Sequence, residues 1–310
     1  MERPLLKPWY RLSVDGGRSV LRYAGSVLEF EGAAAERLLP HLLPLLDGTR
    51  TVDEVVAALG EGVRPAVEHA LSLLRANDLL TDPVPAEAPN GARRCAELLA
   101  AVDAGGRSGA TLAERLGAAE AHVLGNASAA EVAGRLLQLG GARSVAGLDW
   151  SDPPPASGLV VVVPASDELP SLAEWNRRAL EAEVPWLQVL PFDGRYAAVG
   201  PVFVPGQTAC HACYARRRDS TIAPLPEPAG GHHVGAAPLD AALAGLAAFV
   251  ALRWLAGDPV DAGTLLAVEL APELRCTRHF VYRVPRCPAC SPAAARPAPA
   301  PWSGAHDVAA

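Results

Sequence analysis

Two cysteine pairs carry the clearest chemistry in this 310-residue chain, Cys210-His211-Ala212-Cys213 and Cys287-Pro288-Ala289-Cys290. A CxxC turn offers two thiolates to one ion, and two such turns supply the four-sulfur tetrahedral shell that zinc prefers. Four thiolates leave no coordination position for water. The pattern therefore predicts a structural zinc held by Cys210, Cys213, Cys287 and Cys290, not a catalytic one. Thiol-disulfide exchange is the competing reading, but it needs a single pair. His211 sits inside the first turn and, with four thiolates present, is expected to support the ligands or face solvent. Cys95 and Cys276 read as small buried apolar residues. His232-His233 lies in a Gly-rich loop with no nucleophile beside it, and Arg216-Arg217-Arg218 reads as a solvated face within the loop that follows the first pair.

The elements that position these residues are bounded by composition. A chain of this length has a natural division into two domains, and half of its residues are apolar, enough for two cores. The formal net charge is -7 with no compensating basic block, which argues against a nucleic-acid binder. The apolar run Ala241 to Leu252 lies between Asp240 and Arg253 and falls short of the roughly 18 residues that span a bilayer, so it reads as a buried helix with no membrane role. The opening Met1-Glu2-Arg3-Pro4 lacks a secretory pattern, which predicts a cytoplasmic location suited to reduced thiols. The Pro- and Ala-rich tail, residues 291-310, is expected to be disordered.

Between Trp9 and Phe30 three short strand-like runs are separated by turns, which predicts a small antiparallel sheet. Leu38, Leu39, Leu42, Leu45 and Leu46 then read as one helical face, stopped at Asp47-Gly48. Thr51 and Glu54 form a capping box that opens a helix over Val52 to Leu59. A third helix starts at Pro65 with Val67, Ala70, Leu71 and Leu74 on one face. Three strands and three helices suggest a winged-helix arrangement. DNA binding is disfavoured, because residues 1-82 hold nine Lys or Arg against twelve Asp or Glu. Asp82 to Asn90 reads as a linker, and Arg93 to Leu116 as a helical bridge, giving a segment 83-118 between two domains.

Trp9-Tyr10, the small sheet, Leu46-Asp47-Gly48-Thr49-Arg50-Thr51-Val52 and Leu73-Leu74-Arg75-Ala76-Asn77-Asp78-Leu79-Leu80 together resemble the PqqD-like peptide-recognition domain of ribosomal peptide maturation systems. The resemblance implies that a leader peptide adds as a strand beside the edge Ser26, Val27, Leu28, Glu29 and Phe30. The facing helix would contribute Arg64, Val67, Glu68, Leu71 and Arg75. The mechanism would be β-augmentation, in which edge amides and carbonyls supply affinity and side-chain pockets supply specificity. The same apolar residues equally suit packing of the domain's own core.

A larger domain is expected over residues 119-290. His122-Val123-Leu124-Gly125 ends a strand, Ala129 to Leu139 is helical, and Ser144 to Leu148 is a second strand closing on Asp149. A nucleotide-binding version would carry GxGxxG between the first strand and the helix. Here that stretch is Gly125-Asn126-Ala127-Ser128-Ala129-Ala130, and Cβ atoms at Ala127 and Ala130 crowd the approach of a phosphate. Apolar strands at Leu159 to Val163, Trp186 to Leu190 and Leu265 to Leu270, with a helix near Leu172 to Ala182, complete the pattern.

Strand, glycine turn, helix, strand ending in aspartate, then Gly200-Pro201, Pro205-Gly206-Gln207-Thr208-Ala209 before the first CxxC and a terminal CPAC resemble the ThiF-like, ubiquitin-activating family over most of Ala119 to Cys290. That family adenylates a carboxylate with ATP and magnesium, using an arginine stretch and a lysine after the aspartate. This chain runs from Asp149 almost directly into the next strand, and its single lysine is Lys7. Gly125, Ala127, Ala130 and Asp149 are therefore read as a degenerate nucleotide site with no ATP bound. The fold class expected is α/β, a winged-helix-like PqqD-type domain followed by a reduced Rossmann-like ThiF-type domain with a structural zinc. Together the two resemblances imply a non-catalytic partner protein of thiopeptide and other azole-forming peptide pathways. It would bind a precursor peptide's leader and serve a YcaO-type cyclodehydratase. A working adenylating enzyme is the rival reading, and a homodimer, as ThiF relatives often form, stays open.

Overall fold

A computed structural model describes residues 3-15, 18-24, 26-102, 107-125, 128-221, 236-258 and 262-291. Ala127, His232-His233 and the tail beyond Ser291 lie outside them. The chain divides into two compact units, residues 1-118 and 119-310.

In the first unit, β1 (Leu5–Leu6) precedes the antiparallel sheet β2 (Arg11–Asp15), β3 (Arg18–Tyr23) and β4 (Ser26–Phe30), in the order β2-β3-β4. The leucine-rich stretch that follows is not one helix. It forms α1 (Ala33–Arg37), α2 (Leu39–Leu42) and a 3-10 turn over Leu43–Leu45, because Pro40 and Pro44 each fit only at the start of a new helical segment. Helix α3 (Val52–Leu59) begins as the capping box predicts. The Thr51 hydroxyl accepts from the Glu54 N–H, and the Glu54 carboxylate accepts from the Thr51 N–H at 2.7 Å. Helix α4 (Arg64–Ala76) buries Val67, Ala70, Leu71 and Leu74 in a core shared with Leu21, Leu42, Leu46, Val55 and Val56.

β5 (Leu80–Thr81) returns to pair with β1, an antiparallel contact joining Leu5 to Thr81 and Leu6 to Leu80 that no local pattern announces. Lys7, next to β1, is buried and bonded to Asp78 at 2.7 Å. The segment read as a helical bridge is two helices, α5 (Asn90–Val102) and α6 (Gly109–Ala118), both within the first unit.

The second unit is a mixed α/β fold. Its elements are β6 (Glu120–Leu124), α7 (Ser128–Leu139), β7 (Ser144–Leu148), β8 (Leu159–Val162), α8 (Ser171–Glu181), β9 (Trp186–Leu190), β10 (Tyr196–Phe203), α9 (His211–Thr221), α10 (Ala237–Leu255), β11 (Thr264–Glu269) and β12 (Arg275–Phe280). The seven strands run in the order β12-β11-β10-β9-β8-β6-β7, parallel from β7 to β9 and antiparallel from β9 to β12. β7 and β8 flank β6 on opposite sides, so the strand order reverses at the C-terminal end of β6, where open parallel sheets place ligands. Helix α10 is long and apolar enough to cross a membrane by length and composition, yet Leu243, Ala244, Ala247, Ala248, Val250, Ala251 and Leu252 are buried within the unit. Arg216 to Arg218 lie on α9 and not in a loop, because the first CxxC turn leads straight into that helix.

The capping box gives a direct test of the first unit. Thr51→Ala removes one acceptor and frees the Glu54 side chain, and equilibrium denaturation should show a loss of about 1 kcal/mol.

Candidate functional site

The four cysteines converge as the two CxxC turns predict, with all Sγ atoms within 4.8 Å of one another. The Sγ separations are 3.9 Å for Cys210 and Cys213, 3.8 Å for Cys210 and Cys287, and 3.5 Å for Cys213 and Cys290. A tetrahedron with Zn–S bonds of about 2.3 Å has edges of about 3.8 Å, which these three separations match, so the cluster is of a size to hold zinc once its widest pair draws together. These separations are far too long for disulfides. Cys210 and Cys213 meet the site from the start of α9, where the Cys213 and Tyr214 N–H groups donate to the Cys210 carbonyl. Cys287 and Cys290 come from the turn after β12, and the Val284 N–H donates to Cys213 Sγ at 3.3 Å.

Without a cation, three of the thiols separate in acidity. Burial pushes Cys210 up, and burial with hydrogen bonding to Cys213 pushes Cys290 up to about 11. Cys287 is also raised by burial, but donation from the Cys290 and Ala289 backbone and from neighbouring thiols brings it down to about 7. Four thiolates at such spacing require a cation to hold them together.

His211 braces the first turn. Its N–H donates to Asn176 Oδ1 at 2.9 Å, and its Nδ1 lies 2.6 Å from Gln188 Oε1. Burial lowers its pKa to about 4, so the ring is neutral. Sequence reading missed Asn176 and Gln188, which lie on α8 and β9 with no local signature. Arg217 on α9 donates to the carbonyls of Tyr282 and Arg283, tying the first turn's helix to the chain that leads into the second, and Arg218 pairs with Asp193. Cys95 is half-buried, with its thiol pushed up to about 11 by burial. Cys276 is exposed on β12, contrary to the burial expected of it.

Gly125, Ala130 and Asp149 line one cleft of about 820 Å³ beside α7 and β7, together with Glu131, Gly134, Arg135, Gln138 and Gly147. Gly125 survives there for a packing reason. Its φ is +119°, and an added Cβ would lie 2.2 Å from the Val163 carbonyl oxygen. Near the start of α7, Asp240 Oδ2 lies 3.5 Å from Ser128 Oγ, and Glu131 occupies the first turn. Carboxylates thus meet the positive end of the helix, where a nucleotide-binding version would receive phosphate. The short crossover after Asp149 is pinned. Arg178 donates to the carbonyls of Trp150 and Asp152, and the Trp150 indole donates to Glu168.

In the first unit, β4 is the outer strand of its sheet. Val27 and Glu29 are exposed, while Leu28 and Phe30 pack half-buried against the core. Tyr23 pairs with Ser26 across a two-residue connection, the hydrogen-bonded pair that closes such a hairpin, so the next pair, Arg22 and Val27, is unbonded and Val27 turns its N–H outward. Val67 and Leu71 are fully buried and belong to the core. Glu68 and Arg75 are exposed, and Arg64 is held by Asp53 and Glu61.

No protein-family model matches the sequence, and no curated protein matches it. Solved structures do. The heterocyclase TruD aligns with a TM-score of 0.69 and 21% identity over 94% of this chain and 43% of that chain. MccB from E. coli, determined with ATP, aligns with a TM-score of 0.65 and 15% identity over 93% of this chain and 99% of that one. The microcin C7 biosynthetic enzyme MccB in complex with N-formylated MccA gives the same values. This chain has their fold. It spans less than half the length of TruD and nearly all of MccB. The mixed seven-stranded sheet is the part of the ThiF-like expectation that these structures match.

Two outcomes follow from the geometry. Purified protein should carry about one zinc per chain. As pH falls from about 8 to about 5, protonation of the thiolates should release it, read with a colorimetric chelator, and Cys213→Ser should weaken retention at every pH. Gly125→Ala should destabilise the second unit by more than about 2 kcal/mol in chemical denaturation, through its positive φ and the clash with Val163.

Proposed function

We propose that this chain binds the leader of a ribosomally made precursor peptide and presents it to a YcaO-type cyclodehydratase that forms azolines from Cys, Ser or Thr, with no adenylating chemistry of its own. The observation that carries the reading is the cleft at the end of β6. It keeps the position of a nucleotide site, but Asp240 and Glu131 stand at the helix N-terminus and Ala130 replaces a glycine. The chain's one lysine is in the other unit, buried against Asp78. A triphosphate would meet carboxylates where it needs cations and bare backbone N–H groups.

Two further points support a role in peptide maturation. The fold is shared across nearly the whole chain with a heterocyclase and with an enzyme determined with its peptide MccA. The first unit also offers a strand edge whose outward groups, at Val27 and Glu29, suit an added peptide strand, with Leu28 and Phe30 anchoring that edge to the core. Arg64, Glu68 and Arg75 would then tune the charge of the bound segment. Val67 and Leu71 act by packing the helix beneath it. Zinc serves the scaffold.

A second reading, adenylation of a peptide carboxylate, draws on the size of the cleft and on Asp149 and Arg135 in its lining. Peptide-dependent exchange of labelled pyrophosphate into ATP separates the two. We expect none above background, and robust exchange by the purified protein would establish the enzyme. The binding edge is tested with Val27→Pro, which removes an outward donor at a strand edge that tolerates proline. Fluorescence anisotropy with a labelled leader peptide should show at least about a fivefold loss of affinity while the fold is kept. Unchanged affinity would move the peptide elsewhere.

A further inference from the structure

The second unit presents an edge of unusual chemistry on this acidic chain. β12 is the last strand of the seven-stranded sheet, and among the described residues no strand pairs with its outer side. All six of its residues are ladder-paired to β11, yet only Thr277 among them is even half-buried. The exposure is on both faces, so no described element covers the sheet here.

The residues displayed are basic and apolar. Between Leu270 and Arg286 stand Arg275, Arg278, Arg283 and Arg286, all exposed, against one carboxylate, Glu273. Among the described residues none of these four arginines forms an ion pair. The neighbouring apolar side chains are also exposed, Leu274 at 77%, Phe280 at 57% and Tyr282 at 62%. Alternation along the strand puts Cys276, Arg278 and Phe280 on one face. Phe280 continues that face to Tyr282, the rings 4.8 Å apart in an edge-to-face contact. Arg217 lies over the Tyr282 ring and holds the carbonyls of Tyr282 and Arg283, so this end of the strip is fixed in place.

An open strand edge usually carries charge to prevent self-pairing, but it is rarely flanked by three exposed large apolar residues. We propose that the β12 edge is a docking surface for an extended acidic segment of a partner protein, which adds as a strand beside β12 and sets its carboxylates against Arg275 and Arg278 and an apolar residue against Phe280 and Tyr282. Charge complementarity selects this occupant. A second copy of the chain would bring the same arginines face to face. A nucleic acid could use the arginines and rings but would leave the strand's outward N–H and C=O groups unanswered. The surface is separate from the β4 edge, and its test does not depend on leader binding.

The experiment uses the full zinc-loaded chain and a short fluorescein-labelled peptide with consecutive glutamates at one end, which reach both faces of an added strand, and valine and phenylalanine at the other. Anisotropy should show binding that weakens with added salt, and the double variant Arg275→Glu, Arg278→Glu should lose about tenfold or more in affinity while keeping its zinc and melting temperature. Should the double variant not fold, Arg278→Ala alone should show a smaller loss in the same direction. The proposal is overturned if the acidic peptide does not bind, if the folded variants bind it as wild type does, or if the same peptide with lysine in place of glutamate binds as tightly. It is equally overturned if oligouridylate binds in its place with the same arginine dependence, or if light scattering shows these arginines to be the seam of a homodimer.

Discussion

Four sulfurs within 4.8 Å of one another are the constraint from which the second unit's antiparallel half is built. Cys210 and Cys213 follow β10, and Cys287 and Cys290 follow β12, so an ion held by all four would close a loop that contains α9, α10, β11 and β12. Closing a loop of that length costs chain entropy before any contact within it repays the cost. A metal bound by four thiolates contributes free energy on the scale of a whole domain's stability, roughly 10 to 16 kcal/mol in small zinc peptides, which is ample to offset it. Around the four sulfurs, polar groups hold the turns in place. Asn176 and Gln188 brace the first turn through His211, and Arg217 holds the approach to the second turn through two carbonyls. The constraint reaches the sheet edge, because the chain leaving β12 runs directly into the second cysteine pair.

What could be read from the chain alone was whatever is local or chemically unambiguous. The CxxC spacing, the Thr51 and Glu54 pair and the apolar runs of β8 and β9 state their roles within a few residues. The β1–β5 pairing joins Leu5 to Thr81 and has no periodicity to show, since each strand is two residues long. β12 was missed because Arg-Cys-Thr-Arg-His-Phe lacks the apolar alternation of a half-buried strand, and the structure explains this by leaving both of its faces exposed. Asp240 at the start of α7 comes from 112 residues downstream of Ser128, so no inspection of the glycine turn could reveal it. Val67 and Leu71 mark the deeper difficulty. An apolar helix face is written identically whether it binds a peptide or fills a core, and here the core takes both residues.

The groups that line the cleft at the end of β6 each have a local structural reason to be there. Gly125 persists because a Cβ would strike Val163, a packing demand independent of any ligand. The carboxylates of Asp240 and Glu131 complement the α7 dipole, and Arg178 anchors the shortened crossover that follows Asp149. Each device stabilises the fold locally and makes the site less hospitable to a polyanion. The fold shared with TruD and MccB therefore says little about reaction, and the argument about function rests on the groups at this cleft and on the strand edges.

Those edges are the remaining asymmetry. β4 and β12 are both outer strands with unanswered backbone groups on one side among the described residues, but they are chemically opposite. β4 carries Glu29 beside Arg18 and an apolar pair turned into its core, so charge there is locally balanced and selectivity must come from side-chain fit. β12 carries arginines that among the described residues form no ion pair, and two exposed rings, so an occupant there would be chosen first by charge and then anchored by apolar contact. A segment suited to one edge is poorly suited to the other. The two edges therefore differ in what they could select, one by side-chain fit and the other by charge.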